Sequence, residues 1–95
     1  MISLVYFAGR LPSQMSDELT HAGFRVFEAL AISEVLHLSE TEKPEIVVIA
    51  ADVDDRRAKV IQESQTALRL TPATKTSELI AELWGMFPDK VEKVQ

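Results

Sequence analysis

The chain has 95 residues, 46% of them apolar, and no cysteine. That length fits one domain, that apolar share excludes a disordered chain, and the missing thiol excludes disulfides, thiol catalysis and thiolate metal sites. The net charge is −5 and the ten basic residues are scattered, which argues against a nucleic-acid binder with its clustered basic face. No apolar run approaches the roughly 20 residues of a membrane helix. The first residues, Met1-Ile2-Ser3-Leu4-Val5-Tyr6-Phe7, have no basic lead-in and no small-residue cleavage site. They read as a first strand rather than a secretory leader, and the expectation is a cytoplasmic protein.

Ile2 to Ala8 is a continuous apolar run with β-branched and aromatic members, closed by Gly9. A run without alternation predicts a strand covered on both faces, as in parallel sheets. Leu11, Met15, Leu19 and Ala22 recur at helical spacing. Pro12 suits the first turn of that helix, where a missing N–H costs nothing. Gly23 is placed to end it in the left-handed conformation. Phe24 to Ala29 predicts a second strand. Ile32, Val35, Leu36 and Leu38 predict a second helix, with Ser33 as its cap. Glu40 to Pro44 reads as a polar loop ending at a proline, and Glu45 to Ala51 as a third strand in the most apolar part of the chain.

Asp52-Val53-Asp54-Asp55 opens a third helix that runs to about Ser64. Acids in a first turn complement the partial positive charge of a helix N-terminus. Thr66 to Thr71 predicts a short fourth strand, stopped by Pro72. Thr74 or Thr76 then caps a last helix whose stripe is Leu79, Ile80, Leu83, Trp84 and Phe87. Pro88 ends that helix, giving a domain over 1–88 and a charged tail over 89–95. The order βαβαβαβα predicts an α/β protein, a three-layer α/β/α sandwich on a four-stranded parallel sheet with right-handed crossovers.

Three segments carry a resemblance. His21-Ala22-Gly23-Phe24-Arg25-Val26-Phe27-Glu28-Ala29 resembles the end of helix 1 and strand 2 of response-regulator receiver (CheY-like) domains. Lys43-Pro44-Glu45-Ile46-Val47-Val48-Ile49 resembles that family's third strand, preceded by Ser33-Glu34-Val35-Leu36 in helix 2. Leu70-Thr71-Pro72 followed by Ser77-Glu78-Leu79-Ile80 resembles the passage into its last helix. The resemblance implies a flavodoxin-like sheet, with the order 2-1-3-4 as one arrangement of the strands. A receiver has about 120 residues, within the common domain size, so this chain resembles one shortened by about one βα unit.

The same resemblance implies a loss of chemistry. The family's two magnesium-binding acids after strand 1 fall on Phe7 and Ala8, its phosphoacceptor aspartate on Ala50, and its lysine on Thr71. Its switch Ser/Thr has no counterpart. A phenyl ring and a methyl give an oxygen-seeking cation nothing, and phosphoryl transfer depends on positioned metal and charge. Asp52, two residues beyond Ala50, shares its strand face if the strand continues and is then a displaced acceptor, but no acid after strand 1 partners it.

The remaining candidates are weaker. Asp52, Asp54 and Asp55 meet a calcium loop only in part, because Arg57 stands where that loop needs glycine. His21 and His37 are too far apart for a ligand pair. Gly9 and Arg10 lie where anions bind in open α/β sheets, without a glycine-rich loop. The serines have no nucleophile elbow around them.

The expectation is therefore a pseudo-receiver: a non-enzymatic signalling module without cofactor or metal, which binds a protein partner or a second copy of itself. Leu83, Trp84 and Phe87 of the last helix are the expected contact anchors. The alternative is a small ligand-binding or enzymatic α/β domain with an anion site at the strand C-termini, among Gly9, Arg10, Asp52, Asp54 and Thr71.

Overall fold

The computed structural model describes residues 2–7 and 11–87. Along the chain run β1 (Ser3–Phe7), α1 (Ser13–His21), β2 (Arg25–Ala29), α2 (Ile32–Thr41), β3 (Ile46–Ile49), α3 (Asp55–Ser64), β4 (Ala67–Arg69) and α4 (Thr76–Met86). The four strands form one sheet in the order β2-β1-β3-β4. Every pair is parallel, with Val5 opposite both Phe27 and Val47. This is a flavodoxin-like α/β fold. Right-handed crossovers in opposite directions from the centre place α1 on one face and α2 and α3 on the other. The last helix, α4, packs beside α1.

The apolar runs explain the order. The two central strands carry the unbroken ones: Leu4, Val5, Tyr6 and Phe7 of β1 and all of β3 are buried. A strand covered by helices on both faces has no polar side to present. The edge strand β2 is more open, with Arg25 and Glu28 exposed. Leu19, Val35, Ala58, Ile61, Leu79 and Leu83 are the helix residues that close over the sheet. Among the described residues no polar or charged residue is buried. The Ser39 hydroxyl in α2 is a buried atom without a hydrogen-bond partner.

Several ends differ from expectation. Helix α2 continues through Thr41, so Glu40 and Thr41 are helical, and Lys43 makes the exit with φ +48°. Its N-cap is Ala31, not Ser33; the Glu34 carboxylate instead accepts the Leu30 N–H at 3.3 Å. Pro12 stands at the N-cap of α1 with extended ψ, one place before the first turn. The N-cap of α4 is Lys75; Thr74 turns its hydroxyl oxygen back to accept the Thr71 N–H at 3.0 Å. The fourth strand is shorter than expected, Ala67 to Arg69. Pro88 and the tail lie outside the described residues.

Gly23 does what its position demands. Its φ is +95°, its N–H donates to the Thr20 carbonyl, and the Phe24 N–H donates to the Leu19 carbonyl. That pair of bonds is a Schellman cap, and Phe24 and Leu19 supply its apolar contact in the core. An added Cβ at Gly23 meets nothing within 4 Å, so the cost of a side chain there is purely backbone. Gly23→Ala is expected to lower unfolding stability by about 1 kcal/mol. Lys43→Gly, which relieves the same left-handed strain at the end of α2, is expected to raise it by up to about 1 kcal/mol. Urea denaturation of both variants measures the two signs.

Candidate functional site

Ligand sites in open α/β sheets lie beyond the strand C-termini. Here that rim is built on Phe7, Ala29 and Ile49, the last residues of β1, β2 and β3. Phe7 and Ile49 are fully buried and Ala50 is 3% exposed. At Phe7 and Ala50 the floor is therefore apolar and buried, with no side-chain oxygen to hold a cation. Among the described residues no group of three or more His, Asp or Glu side chains has a metal-binding arrangement.

Of the acids beyond β3, Asp54 and Asp55 pair with arginines, while Asp52 makes no such pair among the described residues. The third strand stops at Ile49, and Asp52 sits exposed in the turn beyond it rather than on a continuing strand face. The geometric case for Asp52 as a displaced acceptor therefore lapses. Its charge does reach Tyr6. Burial, and then the Asp52 carboxylate, push the Tyr6 phenol above its ordinary value. Asp54 is the N-cap residue of α3 and accepts a hydrogen bond from Arg57 Nε. Chiefly through that bond, Arg57 holds the Asp54 carboxyl below the ordinary carboxylate value. The same guanidinium lies 5.9 Å from the centre of the Phe7 ring.

Asp55 pairs with Arg69, Oδ1 to Nη1 at 2.7 Å, and Arg69 Nη2 also donates to the Val53 carbonyl at 2.9 Å. Arg69 thus ties the end of β4 to the start of α3. Thr71 closes a local turn, its hydroxyl 2.9 Å from that of Thr74. Of the anion-site candidates, Asp52, Asp54 and Thr71 are exposed, while Gly9 and Arg10 lie outside the described residues.

The last helix divides its stripe. Leu79 and Leu83 are fully buried in the core, which removes Leu83 from the expected contact face. Phe87 is half-buried and packs against the core. Trp84 and Met86 are 42% and 43% exposed. Trp84 leans on the buried Phe24, with ring centroids 6.3 Å apart and planes inclined by 25°. One side of the indole thus covers the core and the other meets solvent.

A groove of about 740 Å³ runs between α1 and the start of α4. Half-buried Met15, Ala22 and Ile80 line it, along with Glu18, His21 and Lys75. His37 lines a separate recess with Glu28 and Glu34. The two histidines belong to different sites. Sequence spacing gave no signal for the Arg69 clamp or the Phe24–Trp84 stack, because both join residues distant in the chain.

No family model, curated protein or solved structure matches this chain.

Two outcomes test this account of the rim. Ala50→Asp is expected to cost about 2–4 kcal/mol of unfolding stability, because it drives an unpaired carboxyl into an apolar floor. Urea titration with and without magnesium measures it, and the ion is expected to restore nothing. In the wild type, the Asp54 carboxyl is expected to titrate below its ordinary value of 3.8. Its interaction with Arg57 is present above that value and lost as pH falls through the lower folded one. Carboxyl-carbon NMR detects this, and Arg57→Ala is expected to move the midpoint upward.

Proposed function

We propose that this protein is a non-catalytic, receiver-like interaction module that associates through the exposed side of α4 and acts in the cytoplasm. One contrast supports the reading. The strand ends where a receiver does its chemistry are sealed by Phe7 and Ala50, while Trp84 and Met86 stand open to solvent. A buried phenyl ring and methyl leave nothing to accept a phosphoryl group or hold its metal. A half-exposed tryptophan is instead the kind of side chain that contact surfaces favour.

Self-association is the form we assign to this binding. Trp84 and Phe87 carry the contact, and Leu83 supports them from within the core. A module of this kind signals by being bound or unbound, so its control lies in abundance rather than in phosphorylation.

The test has two arms. Incubation with acetyl phosphate and magnesium, read by intact mass, is expected to leave the protein unlabelled. Sedimentation velocity across a concentration series is expected to show a reversible increase in size, which Trp84→Glu abolishes while the circular dichroism spectrum is retained. A labelled aspartate, or a Trp84→Glu variant that associates like the wild type, contradicts the proposal.

A further inference from the structure

We draw no further inference here: the strongest candidate, the groove between α1 and the start of α4 lined by Met15, Glu18, His21, Lys75 and Ile80, is an unpartnered surface, and nothing in the structure shows what covers it.

Discussion

The structure depends on two strands that have no polar side. In β1 and β3 every described apolar residue is taken out of water by helices above and below. Each fully buried Val or Leu side chain contributes on the order of 1.5–3 kcal/mol, and no buried charge offsets that gain among the described residues. The helices are recruited by this demand. Leu19 and Leu83 cover the sheet from α1 and α4, Val35 and Ile61 from α2 and α3. The rest of the fold is arranged around those contacts, including the caps that let α1 and α2 turn back into strands.

The same demand shapes the functional surface. Among the described residues, burial runs right up to Phe7 and Ala50, at the place where an α/β protein normally opens a cleft. Polar chemistry is displaced to the start of α3, where Arg57 of α3 pairs with Asp54 and Arg69 of β4 pairs with Asp55. Those pairs are exposed and individually worth little, but Arg69 also holds the Val53 carbonyl and so fixes how β4 meets the β3–α3 turn. Among the described residues, open apolar side chains remain at Leu30, Leu36 and Val60 as well as at Trp84 and Met86 of α4, and a groove lies between α1 and α4. An apolar surface left on a small domain is the feature available for recognition.

Much of the architecture was legible in the chain. The unbroken runs at 2–8 and 45–51 announced buried strands, because a side chain covered on both faces cannot alternate. The helical stripe Leu11, Met15, Leu19 and Ala22, closed by Gly23, gave α1 and its end. Boundaries were less legible where a local signal competed with geometry. Ser33, Thr74 and Thr76 are good capping residues by type, yet Ala31 and Lys75 occupy the N-cap positions. Neither N-cap makes a side-chain capping bond, so cap chemistry does not fix where those helices start. Lys43 gave no warning that it takes a left-handed φ, since lysine has no preference for it.

By itself, the sequence determined the alternation of strands and helices, the apolar character of the strand ends and the breadth of the stripe on α4. These follow from residue type and period, which are local properties. Only the tertiary structure decided how that stripe is divided. Leu83 turns into the core, Phe87 stays half-covered, and Trp84 rests on Phe24 with one side in solvent. Only the fold sets Glu18 and Lys75 on one groove and pairs Arg69 with Asp55. Those relations join residues far apart in the chain, and no local period encodes which distant partner a side chain will meet.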